Sequence, residues 1–243
     1  MKILRSFQLG TWLSIGSPVI AELAAECGFD WVLLDLEHGC ATDAALPDQL
    51  RALKGTGTQA IVRVGAPHSD LISRVLDWGA DGIMVPHVKS AAEATAIVQS
   101  MRYAPLGHRG MSRSSRVYGY GLKPPSNSEP IRQAMLMAQI ENIEGVQNAA
   151  EIAAVDGVDV LFVGPADLQF DLKARANAAA PDYANCLHQV VNAARNAGKS
   201  SGILVRERNE LQVHLGLGFR HIAIDSDLAL LRKGYKDILQ NAT

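Results

Sequence analysis

The stretch Gly28-Phe29-Asp30-Trp31-Val32-Leu33-Leu34-Asp35-Leu36-Glu37-His38 carries an apolar run between a glycine and a cluster of ionisable side chains. A strand that is apolar at consecutive positions, rather than at alternate ones, is typical of a parallel sheet covered on both faces. Gly28 tolerates the left-handed conformation that commonly ends a helix, so we expect a helix just before it. The stretch therefore predicts a helix that leads into a buried parallel strand.

The same pattern recurs eight times along the 243 residues. The predicted strands are Leu9–Leu13, Trp31–Leu36, Ala60–Val64, Gly82–Val85, Leu136–Ile140, Val158–Val163, Ser201–Val205 and His221–Ile224. The predicted helices are Val19–Cys27, Ala44–Leu53, Asp70–Trp78, Ala91–Arg102, Glu144–Val155, Tyr183–Ala197, Asn209–Leu217 and Asp227–Gln240. These alternating units predict a single-domain (β/α)8 TIM barrel over residues 1–243. An open doubly wound sheet is the alternative, but its glycine signature is missing, since Gly55-Thr56-Gly57 precedes a strand.

Two segments stand apart from this repeat. A loop at 103–128, rich in Gly, Ser, Arg and Pro, follows the helix after the fourth strand, and a long loop inside a compact domain is usually functional or mobile. The C-terminal helix, at about 227–240, carries Leu228, Leu231, Tyr235 and Ile238 on one stripe. That stripe suits either a contact between subunits or packing on the helix's own barrel.

Composition argues against several classes of protein. The chain has 23 basic and 25 acidic residues, a formal net charge of −2, so no basic excess neutralises nucleic-acid phosphates. Its apolar runs are far shorter than the ~18 residues of a membrane-spanning helix, and Arg5 follows Lys2 too closely for a signal peptide. Cys27, Cys40 and Cys186 lack the spacing of a paired motif and indicate reduced thiols. We therefore expect a cytoplasmic protein that binds neither nucleic acid nor membrane.

The carboxyl ends of the predicted strands carry the candidate functional residues, since chemistry in such barrels collects at that face. These residues are Trp12, Asp35, Glu37, His38, Arg63, His87, Gln139, Glu141, Ala166, Asp167, Leu204, Arg206 and Asp225. Polar turns or helix caps would explain any one of them alone, but the whole set favours an active site. No lysine ends a strand, which disfavours a Schiff-base aldolase. Glycine-rich turns do not follow the last two strands, which disfavours a sugar phosphate substrate.

A metal site is predicted from two of these acids. Glu141 and Asp167 follow neighbouring strands, so their carboxylates can converge on one point. Two oxygen ligands, without a cysteine or a paired histidine motif, suit a hard divalent cation such as Mg²⁺ or Mn²⁺ better than zinc. The same two acids could instead perform acid–base work.

A base and a cation are predicted beside this pair. His38 follows the second strand beside two acids and is a candidate general base near neutral pH. The alternative is a histidine that only contacts a local carboxylate. Arg63 ends the third strand, and its planar guanidinium could hold a carboxylate or a developing enolate oxygen. The alternative for Arg63 is a structural ion pair with one of the neighbouring acids.

Several blocks carry a family resemblance. They include Gly10-Thr11-Trp12-Leu13, Asp35-Leu36-Glu37-His38, Val62-Arg63, Gln139-Ile140-Glu141 and Gly164-Pro165-Ala166-Asp167. In this order, over nearly the whole chain, they make the sequence resemble the 4-hydroxy-2-oxoheptanedioate aldolase family. These are class II, metal-dependent pyruvate aldolases, with 2-dehydro-3-deoxy acid aldolases among them.

The resemblance implies a role for each matching residue. Glu141 and Asp167 would hold Mg²⁺, Mn²⁺ or Co²⁺, while Gln139 and the backbone of Ala166 and Asp167 would contact pyruvate. Arg63 would stabilise the enolate.

For proton transfer, the resemblance implies His38, with Asp77 in the position that raises the basicity of that histidine. Asp77 stands in the last turn of a predicted helix, where the helix dipole disfavours an anion. A non-local cationic partner would explain it, and Asp35 is the local alternative as the partner of His38.

The predicted activity is cleavage of a 4-hydroxy-2-oxo acid into pyruvate and an aldehyde, by a homo-oligomer that the resemblance implies is a hexamer. The alternatives are an acyl-CoA lyase, an oxaloacetate-decarboxylating or cyclising enzyme on the same barrel, and a non-catalytic barrel. Within the long loop, we expect Arg109, Arg113 and Arg116 to lie over the rim beside Arg63, or at a neighbouring subunit's rim. There they would bind an acidic group of the aldehyde; the alternative is a solvated basic loop.

Overall fold

Eight parallel strands close into a barrel in the order in which they follow along the chain. The computed structural model describes residues 6–123, 133–175 and 181–241. The strands are β1 (Gln8–Leu13), β2 (Trp31–Asp35), β3 (Gln59–Arg63), β4 (Gly82–Val85), β5 (Met135–Ile140), β6 (Val160–Val163), β7 (Ser200–Val205) and β8 (His221–Ser226). The predicted (β/α)8 barrel is confirmed, because β1 pairs in parallel with β8 as well as with β2.

Helices surround this barrel and connect its strands. They are α1 (Pro18–Glu26), α2 (Leu46–Ala52), α3 (Ser69–Asp77), α4 (Ala91–Met101), α5 (Ile143–Gln147), α6 (Ala149–Ala154), α7 (Pro165–Ala174), α8 (Tyr183–Asn196), α9 (Leu211–Leu217) and α10 (Asp227–Asn241). Short 3-10 helices lie at Asp43–Ala45, Arg116–Gly121 and Arg208–Glu210. Across the described ranges, no helix combines the length and apolarity needed to cross a membrane.

Two helical segments differ from the sequence prediction. The helix predicted at Glu144–Val155 is divided into α5 and α6 at Asn148, whose ψ of 8° lies outside the helical range. An additional helix, α7, follows β6 directly. It begins at Pro165, whose fixed φ and missing N–H suit the first helical position.

The barrel interior is filled by large side chains, so it is a packed core rather than a pore. Trp31 and Phe162 are fully buried there, with their ring centroids 6.0 Å apart in an edge-to-face arrangement. Two glycines make room for these rings. A Cβ atom on Gly10 would lie 2.2 Å from the Trp31 ring, and one on Gly202 would lie 2.4 Å from Phe162. The packed interior leaves the carboxyl rim as the place for a site.

The long loop lies at the amino end of the barrel, as far as residue 123. Helix α4 carries the chain from the carboxyl end of β4 to the amino end, where the loop begins. There Arg116 donates hydrogen bonds to the backbone oxygens of Trp78 and Leu50, the second at 3.1 Å. The expectation that this loop covers its own rim beside Arg63 is therefore wrong for the described part. Residues 124–128 of the predicted loop lie outside the described residues.

Candidate active site

A buried arginine joins the carboxyl ends of β2 and β3. Nε and Nη2 of Arg63 donate to the two carboxylate oxygens of Asp35 at 2.9 and 2.7 Å, and Nη1 lies 2.8 Å from Glu37 Oε2. The Arg63 and Asp35 side chains are 8% and 2% exposed, and the guanidinium lies 5.3 Å from the centroid of the Trp12 ring. The ion pair considered for Arg63 is therefore present. It still leaves one N–H on each terminal nitrogen for a ligand.

The turn after β2 presents His38 to solvent. Asp35 Oδ1 accepts the backbone N–H groups of Glu37 and His38 at 3.0 and 3.3 Å, which orders this turn. The His38 side chain is 69% exposed, and its Nε2 lies 3.8 Å from Glu37 Oε1, beyond hydrogen-bond distance. The imidazole is therefore accessible to a substrate. Asp35, the local alternative as its partner, contacts the backbone of His38.

Glu141 is a buried carboxylate whose two oxygens both accept hydrogen bonds. Oε2 accepts from Gln139 Nε2 at 2.6 Å, while Oε1 accepts from the His87 backbone N–H at 2.8 Å and lies 3.0 Å from His87 Nδ1. Burial raises the pKa of Glu141 to about 7, and the charges of Asp167 and Glu37 add to this rise while His87 opposes it. A carboxyl group that loses solvation in this way is stabilised by a cation.

Asp167 faces the same space from the first turn of α7, where the positive end of the helix dipole favours an anion. Its repulsion contributes to the raised pKa of Glu141. Gly164, the residue before α7, allows the close approach, because a Cβ atom there would lie 2.4 Å from Glu141 Oε2 and 2.8 Å from Gln139 Nε2. The structure thus brings both predicted metal ligands and Gln139 together.

The residues present fit a divalent cation held by few protein ligands. Gln139 Oε1 is buried without a hydrogen-bond partner among the described residues, so an electropositive ligand would satisfy it. In the described part of the chain, no group of three or more His, Cys, Asp and Glu side chains is arranged to hold a metal. A cation at Glu141 and Asp167 would therefore keep coordination positions for oxygen atoms of substrate and water.

These groups border one cleft of about 410 Å³ at the carboxyl rim. The residues that line it are Trp12, Ser14, Asp35, His38, Arg63, Gln139, Phe162, Val163, Gly164, Pro165, Ala166, Asp167, Gln169, Leu204, Arg206 and Ser226. Seven residues were predicted to have a role in the site. Five of them line this cleft, and a sixth, Glu141, contacts Gln139, which lines it. Asp77 is the exception.

Asp77 does not lie near His38 within one chain. Helix α3 begins beyond the carboxyl end of β3 and has nine residues, so it ends about 13 Å away, toward the amino end. There Asp77 Oδ1 lies 2.5 Å from Arg109 Nη2. The cationic partner expected for Asp77 exists, but it is Arg109 of the long loop. The prediction that Asp77 contacts His38 is wrong for a single chain because the crossover helix carries it away from the rim.

His87 and Arg206 lie at the ends of predicted strands, but the sequence indicated no catalytic or binding role for either residue. His87 has a left-handed backbone, with φ of 56°, and contacts Glu141 through both its backbone and its ring. Arg206 follows β7 and lines the cleft. A contact between different strands decides the role of His87, and no local sequence pattern reports such a contact.

Comparisons with known proteins give a consistent result. A family model described as HpcH/HpaI aldolase/citrate lyase matches residues 8–234. Hydroxypyruvate/pyruvate aldolase of Pseudomonas aeruginosa is 37% identical over 232 residues, which cover 95% of this chain and 87% of that protein. The 5-keto-4-deoxy-D-glucarate aldolase of Klebsiella pneumoniae subsp. pneumoniae is 36% identical over 225 residues, 93% of this chain and 88% of that protein.

Among solved structures, an HpcH/HpaI aldolase/citrate lyase family protein from Burkholderia cenocepacia J2315 superposes with a TM-score of 0.90 and 31% identity. The match covers 98% of this chain and 95% of that one. Both aldolases named above carry names of substrates other than 4-hydroxy-2-oxoheptanedioate. The comparisons therefore support the wider family rather than the particular member expected from the sequence.

Proposed function

Because the chain belongs to the HpcH/HpaI aldolase/citrate lyase family, we propose that it is a class II, metal-dependent pyruvate aldolase. It would cleave a 4-hydroxy-2-oxo acid into pyruvate and an aldehyde. One observation carries this proposal: a buried acid with an elevated pKa, Glu141, lies with Asp167 and Gln139 at the cleft that Arg63 and His38 also border. Such a set can hold a 2-oxo acid at one end and accept a proton at the other.

The residues divide the work between binding, charge stabilisation and proton transfer. Glu141 and Asp167 would hold Mg²⁺, Mn²⁺ or Co²⁺, which would polarise the 2-oxo group when bound. Gln139 and the backbone of Ala166 and Asp167 would orient the carboxylate end of the substrate.

Arg63 acts on the negative charge that develops when the carbon–carbon bond breaks. Asp35 and Glu37 hold its guanidinium in place, so its remaining N–H groups need little reorganisation to donate to an enolate oxygen. His38 accepts the 4-hydroxyl proton as the aldehyde forms, and its exposed imidazole can exchange that proton with solvent. One proton returned from solvent to the methylene carbon of the enolate then gives pyruvate.

We also propose that the protein works as a homo-oligomer, with the hexamer as the expected form. Helix α10 supports this, because Tyr235, Ile238 and Leu239 on it are each more than 60% exposed, and clustered apolar side chains on a surface often mark a protein–protein contact.

The test is pyruvate release from a racemic 4-hydroxy-2-oxo acid with and without EDTA, in wild type, Glu141→Gln and Asp167→Asn. We expect chelation to abolish turnover because it removes the cation. We expect either substitution to abolish turnover because it removes one of the two protein charges that hold the cation. Isothermal titration with Mn²⁺ should show weaker binding in both variants. Asp156→Asn removes an exposed carboxylate at the amino end and should change neither measurement.

Full activity of either site variant after chelation would contradict the metal-dependent proposal. Decarboxylation of oxaloacetate without any pyruvate release from the 4-hydroxy acid would instead favour the decarboxylating alternative.

A further inference from the structure

Arg206 occupies a position on the rim that the proposed chemistry does not use. It directly follows β7, is exposed, and lines the same cleft as Arg63 and Asp167. Helix-capping or core packing does not explain a long cationic side chain at this point. Arg206 therefore borders the cleft on the β7 side, two strands from β5, which leads to Glu141.

The charges around the cleft leave Arg206 available for an anion. Of the two arginines that line the cleft, Arg63 is paired with Asp35 and Glu37. Within the described residues, Arg206 makes no ion pair, and Oε1 of the neighbouring Glu207 lies 3.8 Å from Lys233 Nζ. The charge of Arg63 is already balanced by two acids, although two of its N–H groups stay free to donate. The charge of Arg206 has no acidic partner in the described residues and can attract a further anion.

The geometry of the barrel sets the length of ligand that would reach Arg206. Strand β7 neighbours β6, from which Asp167 follows, and lies two strands from β5, which leads to Glu141. Neighbouring strands are about 4.8 Å apart, so the carboxyl ends of β6 and β5, which lead to Asp167 and Glu141, lie roughly 5 and 10 Å from the end of β7. The apolar side chains of Phe162 and Leu204 also line the cleft. A short carbon chain between two polar ends fits this arrangement.

We propose that Arg206 is a specificity-determining residue that binds a carboxylate at the far end of the aldehyde portion of the substrate. This inference rests on the proposed aldolase function and names the residue that selects the acceptor. It also replaces the expectation that the arginines of the long loop select it from within the same chain, because Arg116 is bonded at the amino end.

The experiment measures the aldol addition of pyruvate to two aldehydes of equal chain length. One is 4-oxobutanoate, which carries a terminal carboxylate, and the other is neutral butanal. The measured quantity is the ratio of kcat/KM for the acidic to the neutral aldehyde. We expect wild type to prefer the acidic aldehyde and Arg206→Gln to lower the ratio by about 10- to 100-fold, the usual effect of losing a charge-assisted hydrogen bond. Arg206→Lys should retain part of the preference.

Arg208→Gln is the matched control, because Arg208 is an exposed arginine two residues further along that does not line the cleft. It should keep the wild-type ratio. Circular dichroism spectra identical to wild type would establish that the variants fold.

Exchange of the pyruvate methyl protons in D₂O separates the two proposals, since it reports on the pyruvate half without any aldehyde. The role of Arg206 alone would be overturned if proton exchange is observed but the kcat/KM ratio of Arg206→Gln equals that of wild type. It would also be overturned if exchange is observed but wild type does not prefer the acidic aldehyde. If wild type catalysed neither proton exchange in pyruvate nor the addition of pyruvate to either aldehyde, the aldolase proposal would be overturned, and the role of Arg206 with it.

Discussion

At the scale of single residues, the pairing of Arg63 with Asp35 shows how a buried cation is kept in place beside the site. Asp35→Asn leaves this guanidinium with a single anionic partner in a position that is 8% exposed. We expect the variant to lose about 1.5–3 kcal/mol of unfolding free energy, because the buried guanidinium loses one of its two anionic partners and its charge-assisted hydrogen bonds. We also expect kcat to fall, since the guanidinium loses its fixed orientation.

Urea unfolding followed by tryptophan fluorescence measures the stability, and steady-state kinetics measure kcat. Asp48→Asn is the control, because it breaks an exposed pair with Arg51 and such pairs contribute little. Equal stability of the two variants would contradict the structural importance of the buried pair.

Gly164 sets a second constraint at this scale. In Gly164→Ala, the new Cβ atom would lie within 3 Å of both Glu141 and Gln139, so both side chains must move. We expect Mn²⁺ affinity, measured by titration calorimetry, to fall by about 10- to 100-fold, with the far-UV spectrum unchanged. Gly234→Ala, where no atom lies within 4 Å of the added carbon, should bind like wild type. Wild-type affinity in Gly164→Ala would contradict a cation at Glu141.

At the scale of elements, one ion pair fastens the long loop to the end of α3. Arg109 contacts Asp77 at 2.5 Å, and its guanidinium lies 4.6 Å from the centroid of the Tyr103 ring. Because Arg109 is 8% exposed, we expect Asp77→Asn and Arg109→Gln each to cost about 1–3 kcal/mol. The double variant should cost less than the sum of the two by at least ~0.5 kcal/mol.

Chemical unfolding of all four proteins in the cycle measures this coupling. Strict additivity would mean that the two side chains do not interact. Asp77→Asn also tests the predicted effect of Asp77 on the basicity of His38. Asp77 could have this effect only across a contact between two copies of the chain.

At the scale of the whole molecule, one buried histidine contributes to the pH dependence of stability. His221 begins β8, and desolvation lowers its pKa to about 4. An unfolded histidine has a pKa of about 6.5, so between pH 6.5 and 4 the unfolded chain binds a proton that the folded chain does not. Its contribution to stability is therefore complete above pH 6.5 and is lost as the pH falls toward 4, by up to about 3 kcal/mol.

The measurement is urea unfolding at several pH values between 7 and 4, in wild type and His221→Gln. We expect the variant to lose less stability than wild type on acidification, because it lacks the group whose protonation favours the unfolded chain. His188→Gln, at an exposed position on α8, should follow wild type. A pH dependence in His221→Gln equal to that of wild type would contradict burial of a neutral ring.

The barrel could be predicted from the sequence because its signals are local. Consecutive apolar residues and helix-ending glycines mark each strand and helix without reference to the rest of the chain. Since all strands are parallel, their carboxyl ends meet at one face, and the positions of His38, Arg63, Gln139, Glu141 and Asp167 follow from strand order alone. The sequence by itself therefore determined the fold and that these five side chains collect at one face of the barrel.

Tertiary structure decided what those residues contact. Asp77 and the long loop lie at the amino end because crossover helices return the chain there, and a linear pattern does not show which distant groups then meet. The same holds for the pairing of Arg63, the contact of His87 with Glu141, and the place of Arg206 beside Arg63 and Asp167 on one cleft. Each depends on distances between side chains from different strands, which exist only once the barrel has closed.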